Sequence, residues 1–148
     1  MTSPNTEFWH GRRVLVTGHT GFKGAWICAW LAELGADVTG FALAPDPGAN
    51  LFRDLAPLSG VKSIIGDVRD RDALQRACAE AHPEVAIHMA AQSLVRRSFL
   101  DPRGTYATNV QGTGNLLEAL EPCGELRAIL VVTSDKCYRN DNSGRPFV

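Results

Sequence analysis

Apolar and polar positions along this chain alternate between two periods. Short, nearly continuous apolar runs recur at 13–17, 37–43, 61–66, 85–89 and 127–133. Between them the apolar residues fall three and four apart. Runs of the first kind read as strands buried on both faces, and spacing of the second kind as amphipathic helices. The first strand is thus predicted at 13–17. A helix over 22–34 follows, with Ile27, Leu31 and Leu34 at i, i+4 and i+7 and Gly35 as its C′ residue. The second strand is predicted at 37–43, a short helix at 51–55 and the third strand at 61–66. Asp70 reads as the N-cap of a helix through Ala81 that turns Leu74, Ala77, Cys78 and Ala81 inward. Pro83 breaks that helix, and 85–89 is the fourth strand. Asp101-Pro102 forms an N-cap and N1 pair. It opens a long helix to about Leu120, with Tyr106, Val110, Thr113, Leu117 and Leu120 on one face. The fifth strand is predicted at 127–133. Residues 1–11 read as a leader stapled on by Phe8 and Trp9, and 139–146 as loop.

Strands alternating with helices predict an α/β fold: a doubly wound parallel sheet of the Rossmann kind, with helices on both faces and right-handed crossovers. The expected strand order is 3-2-1-4-5, with the switch point between the first and fourth strands. Beside it runs Val14-Leu-Val-Thr-Gly18-His19-Thr-Gly21-Phe22-Lys-Gly24. A strand, a tight turn and a helix N-terminus meet here, and the unpaired N–H groups and positive dipole end of that helix suit a phosphate. Gly18 can take the turn, Gly21 lets backbone approach a pyrophosphate, and Gly24 lets helix pack close to strand. The spacing G-x-x-G-x-x-G differs from G-x-G-x-x-G. Lys23-Gly24 has the wrong order for a P-loop. The second strand ends Phe41-Ala-Leu43 with no acid for an adenosine ribose, and Asp46 lies in a Pro-rich loop. That position does not decide between NAD and NADP. Asp67, at the third strand's end, is either a ligand contact or a turn residue. The small pair Ala90-Ala91, followed by Gln92, would let a ligand lie against backbone. Asn109, polar in mid-helix, could bridge two strand ends. Thr133, Ser134, Asp135 and Lys136 offer a hydroxyl, an acid and an amine where the fifth strand meets the cleft.

Composition narrows the class. Of 148 residues, 45% are hydrophobic and 21% charged, as in an ordinary globular protein. A net charge of -1 gives no electrostatic case for nucleic acid or an anionic membrane. No apolar run is long enough to span a bilayer, and the first residues lack the basic and apolar regions of a signal peptide. A cytoplasmic location is expected. Cys28, Cys78, Cys123 and Cys137 form no C-x-x-C pair and have no histidine cluster beside them. They read as packed thiols, and no metal site is expected. His10, His82 and His88 read as isolated surface or core histidines. His19 differs by sitting inside the glycine loop, where backbone geometry could be its whole role.

Several motifs together resemble the extended short-chain dehydrogenase/reductases. They are Val16-Thr-Gly-His-Thr-Gly-Phe-Lys-Gly24, Gly66-Asp-Val-Arg-Asp70, His88-Met-Ala-Ala-Gln92, Val95-Arg-Arg-Ser98, Thr105-Tyr-Ala-Thr-Asn-Val-Gln-Gly-Thr113 and Val132-Thr-Ser-Asp-Lys-Cys-Tyr138. Within that family the chain is most similar to the nucleotide-sugar 4,6-dehydratases that act on CDP-glucose, with Ser134-Asp135-Lys136 the most discriminating piece. The resemblance implies NAD as cofactor and CDP-glucose as substrate. It implies oxidation at sugar C4, proton loss at C5, water loss from C6 and hydride return to C6, in dideoxysugar and O-antigen precursor synthesis. By the same resemblance Ser134 would hydrogen-bond the C4 oxygen, Asp135 would protonate the leaving hydroxyl and Lys136 would act as the C5 base. Gly18, Gly21 and Gly24, with His19 and Phe22 in the same loop, would hold the pyrophosphate. Asp67 and Val68 would meet adenine, Ala90, Ala91 and Gln92 would line the ribose path, and Asn109 and Thr133 would support the site. A homodimer is implied only by analogy.

One departure stands out. The family's proton-abstracting Tyr-x-x-x-Lys does not occur, since Tyr138 is followed four residues later by Asn142. Residues 12–148 are therefore expected to be the cofactor half of such an enzyme, inactive alone. The alternatives are another nucleotide-sugar dehydratase or epimerase, and a non-catalytic dinucleotide-binding module.

Overall fold

The computed structural model describes residues 5–45, 47, 48 and 50–134. Five parallel strands form one sheet in the order β3-β2-β1-β4-β5: β1 Arg13–Thr17, β2 Asp37–Ala42, β3 Lys62–Ile65, β4 Val85–His88 and β5 Ala128–Val131. The helices are α1 Thr6–Trp9, α2 Phe22–Glu33, α3 Leu51–Ser59, α4 Arg71–Ala81, α5 Val95–Leu100, α6 Pro102–Tyr106 and α7 Gly112–Leu120. The predicted topology and strand order are therefore observed.

Successive residues of β1 point to opposite faces, and the core divides accordingly. Val14 and Val16 pack with Cys28 and Leu31 of α2 and with Val38 and Ile87. Leu15 packs on the other face with Phe41, Leu74, Cys78, Leu116 and Leu120, beneath α4 and α7. Burial pushes the Cys28 and Cys78 thiols up to about 12, so both stay protonated packing groups. Asp70 caps α4 by accepting from the Ala73 N–H at 3.0 Å. That helix ends on His82, in the left-handed region at φ 42°, just before Pro83. Asn50 caps α3 through the Phe52 N–H at 2.9 Å, and α3 runs four residues past the predicted end at 55, to Ser59.

Two expectations change. Residues 6–9 of the expected leader form α1, where Phe8 meets Trp9 edge-on at 4.9 Å and Arg12 stacks over Phe8. The long helix after Asp101 is not continuous: a π-helical turn, Ala107–Gln111, separates α6 from α7. The extra residue advances the helical phase by about 100°, so the face predicted across it is not the buried one. Gly112, Asn115, Leu116, Ala119 and Leu120 face the core, while Tyr106, Val110 and Leu117 are exposed. The predicted Leu120 is buried as expected. No helix among the described residues is long and apolar enough to cross a membrane.

Candidate functional site

The crevice lies at the C-terminal ends of β1 and β4. Gly18 leaves β1 at φ 80°, and its N–H donates to the Phe41 carbonyl at 2.8 Å. A Cβ at Gly18 would sit 2.8 Å from the Ala90 nitrogen, so only glycine lets the loop press against the segment after β4. A Cβ at Gly24 would sit 2.1 Å from the Gly18 carbonyl oxygen. Gly24 thus serves closure of the loop on itself, where close packing of helix on strand was expected. At Gly21 the nearest atom would be that same oxygen at 3.3 Å. Gly21 is the N-cap of α2, no side chain caps the helix, and its first turn carries no acid. Gly21, Phe22 and Lys23 are exposed. The positive end of α2 is therefore open to an anion.

His19 turns the other way. Its ring is fully buried, with Nε2 2.7 Å from Ser63 Oγ and its edge toward Phe52. The ring fills the space where a Cβ of Gly40 would lie, 2.3 Å from its Cγ. Burial lowers its pKa, opposed by the nearby Phe41 carbonyl. Nδ1 has no hydrogen-bond partner among the described residues. His19 wedges the loop against β2, β3 and α3, and offers only backbone to the crevice. Thr20 ties the loop to β2 through the Leu43 carbonyl at 2.9 Å.

The Asp67 carboxylate is held by charge within its own turn. Arg69 donates to its carboxylate through Nε at 2.9 Å and Nη2 at 2.5 Å, and these bonds hold the Asp67 carboxyl below its ordinary range. The Val68 side chain is in the core, and its carbonyl accepts from Asn115 Nδ2 at 3.0 Å.

Across the crevice, Asn109 sits in the π turn and clamps the backbone after β4. Its Oδ1 accepts from the Gln92 N–H at 2.8 Å and its Nδ2 donates to the Gln92 carbonyl at 3.0 Å. Gln92 Nε2 in turn donates to Thr105 Oγ1 at 3.0 Å. Asn109 thus holds one segment, the backbone after β4, where a bridge between two strand ends was expected. Ala90 is half-buried and Ala91 is exposed. β5 runs in register with β4, Val131 opposite His88, so Thr133 and Ser134 leave the sheet on the same edge as Ala90 and Ala91, and both are exposed. Asp135 and Lys136 lie outside the described residues.

Sequence reasoning missed Thr17, His88 and Thr113, which lie behind the crevice in one hydrogen-bonded chain. The signal available was a hydroxyl at a strand's end and a threonine four residues after Asn109. Among the described residues no three metal-ligating side chains gather.

A parallel sheet, a glycine-rich turn into an uncapped helix and a small-residue segment beside it define a dinucleotide-binding α/β protein. The sequence profile of the NAD dependent epimerase/dehydratase family matches residues 14–147, and the chain belongs to that family. It is 50% identical over 134 residues to CDP-glucose 4,6-dehydratase of Salmonella typhimurium, covering 90% of this chain and 37% of that protein. It is 35% identical over 127 residues to a probable UDP-glucuronate 4-epimerase of Rhizobium meliloti, covering 82% of this chain and 37% of that protein. Among solved structures, the UDP-glucose 4-epimerase of Thermus thermophilus, in complex with NAD, superimposes with a TM-score of 0.68 at 37% identity. That likeness covers 78% of this chain and 36% of the epimerase. The chain thus spans less than two fifths of the length of these three relatives.

Proposed function

We propose that this chain is the NAD-binding region of a nucleotide-sugar 4,6-dehydratase whose substrate is CDP-glucose. The observation that carries the reading is the glycine-rich loop. Its turn runs into a helix that no side chain caps, and backbone blocks any side chain at positions 18 and 24. Such a cradle fits a pyrophosphate held by main-chain amides. The 50% identity to the Salmonella dehydratase supports the choice of substrate.

NAD⁺ held there would supply a hydride acceptor for sugar C4 and the hydride returned to C6, and the C4 hydroxyl proton would go to the family's Tyr-x-x-x-Lys pair, which these 148 residues do not contain. The chain's own residues would take the following roles. Gly18, Gly21 and Gly24 hold the diphosphate, with the backbone of His19 and Phe22. Asp67 and Val68 border the adenine. Ala90, Ala91 and Gln92, clamped by Asn109, line the ribose path, and Thr133 supports the nicotinamide end. Ser134 hydrogen-bonds the C4 oxygen. Lys136, as the neutral amine, would remove the C5 proton while Asp135 protonates the C6 hydroxyl, which leaves as water, and the lysine would return that proton to C5 as hydride adds to C6. A lysine base at neutral pH requires a lowered pKa, of the kind that burial or a neighbouring cation gives in proteins generally. The product class, a 4-keto-6-deoxy nucleotide sugar, suits dideoxysugar and O-antigen precursor synthesis.

Calorimetric titration of the 148-residue chain with NAD⁺ is expected to give saturable binding; absence of binding overturns the reading. A chimera in which this region replaces its counterpart in the Salmonella dehydratase is expected to convert CDP-glucose in preference to dTDP- and UDP-glucose. Asp135→Asn or Lys136→Ala should abolish product. The chain alone, having no Tyr-x-x-x-Lys, is expected to give none.

A further inference from the structure

Thr17 ends β1, His88 ends β4 and Thr113 lies in the first turn of α7. Thr17 Oγ1 is 2.6 Å from His88 Nδ1, and His88 Nε2 is 2.9 Å from Thr113 Oγ1. The Thr113 hydroxyl is also 2.8 Å from the Asn109 carbonyl oxygen. The N–H groups of Met89 and Ala90 each reach Thr17 Oγ1 at 3.2 Å. Thr17 and His88 are buried.

The inventory of protons sets the direction of every bond. A carbonyl cannot donate, so Thr113 gives its single proton to Asn109. The Thr113 oxygen then accepts from His88, which must carry its proton on Nε2. A neutral ring protonated there is bare at Nδ1 and accepts the Thr17 proton. The two lone pairs of Thr17 Oγ1 are left for the Ala90 amide and for the Met89 amide, which also donates to the Thr17 carbonyl at 3.1 Å. The other tautomer, or a doubly protonated ring, would turn a ring N–H onto Thr17 Oγ1 beside these amides and leave the Thr17 proton with no acceptor among these groups. Only one arrangement leaves each group partnered, and a buried group left without a partner is costly.

We propose that Thr17, His88 and Thr113 are positioning residues: a one-way relay from Thr17 through His88 and Thr113 to the Asn109 carbonyl sets the register between the glycine-rich loop and the 89–92 segment. The relay begins one residue before Gly18, whose backbone abuts Ala90. It ends on the turn that carries Asn109, whose side chain grips Gln92 at both its N–H and its carbonyl. Both walls of the crevice are thereby tied to one imidazole. The consequence for cofactor affinity rests on the function proposed above; the tautomer and the register do not.

Long-range proton–nitrogen NMR of the ¹⁵N-labelled chain at neutral pH is expected to find His88 as the Nε2–H tautomer; an Nδ1–H or charged ring overturns the relay. Thr113→Val keeps the shape and removes the hydroxyl. It is expected to speed hydrogen exchange at the Gln92 amide about tenfold, leave Leu15 unchanged and weaken NAD⁺ binding about tenfold. Thr113→Ser is expected to restore both. Unchanged exchange at Gln92 in the valine variant overturns the proposal. If that variant does not fold, the tautomer in the unaltered chain still decides. Failure of the unaltered chain to bind NAD⁺ overturns the cofactor reading instead, while tautomer and exchange continue to judge the relay.

Discussion

β1 and β5 are both apolar strands of the same sheet, and they meet opposite environments. Val14, Leu15 and Val16 are 1%, 0% and 0% exposed, whereas Ile129, Leu130 and Val132, just past the strand, are 40%, 56% and 45% exposed. β1 lies at the sheet's centre, paired with β2 and β4, with α2 over one face and α4 and α7 over the other. β5 pairs only with β4, at the edge. Trp26 and Trp30 of α2 line an apolar trough with Met89, Leu130 and Val132. An apolar run therefore reports that a strand can be buried on both faces; its rank in the sheet decides whether it is.

The contrast can be broken by truncation. Leu15→Ala removes a fully buried side chain between sheet and helices, and is expected to cost about 2–5 kcal/mol in urea denaturation. Leu130→Ala should cost less than about 1 kcal/mol, because more than half of that residue's surface is already in water. Equal costs would mean that β5 is covered in solution.

Glycines sharpen it next. Gly24→Ala drives a Cβ against the Gly18 carbonyl, backbone that cannot rotate away. It is expected to destabilise the fold by about 1–3 kcal/mol and to abolish measurable NAD⁺ binding by calorimetry. Gly114, in α7, has nothing within 4 Å of a built Cβ. Gly114→Ala is expected to do the reverse and stabilise, by about 0.4–1 kcal/mol in the same denaturation assay.

Between these in size lies the effect of pH, which reads the covered side. Burial lowers the pKa of His19 and His88 below the ordinary value near 6.5. The unfolded chain then takes up protons first. Stability is full above about pH 6.5 and is lost as pH falls from there through the folded-state values. Asp67, whose pKa Arg69 lowers, adds stability present above the unfolded carboxyl value near 4 and lost below it. Urea midpoints should therefore fall as pH drops below about 6.5, and again below about pH 4. A flat profile from pH 7.5 to 5.5 would contradict the burial of the two imidazoles.

Much of this was readable along the chain because it depends on neighbours in sequence. Strand limits hold within a residue or two, since each run is bounded by glycine, proline or a cap such as Asp70. The glycine loop is local in part: Gly21 and Gly24 both close on the Gly18 carbonyl, whereas Gly18 itself is pressed by Ala90. The inward face of α7 was not legible, because a single added residue at 107–111 resets the phase that periodicity assumes. α5 escaped notice since Val-Arg-Arg-Ser-Phe-Leu is too short to display a period, and none of it is buried. The ion pair at Asp67 is a local feature as well, since Arg69, two positions on, reaches back to its carboxylate.

The order of strands, the glycine turn and the free N-terminus of α2 follow from the sequence alone, because hydrophobic period, backbone freedom and helix capping act over a few residues. The burial of His19 over Gly40, the exposure of β5 and the tautomer of His88 were decided only in three dimensions. Thr17 and His88 stand 71 positions apart, and no local rule records that the ends of two strands will share a proton. Packing brings them together, and the count of donors and acceptors in that buried space then leaves one arrangement.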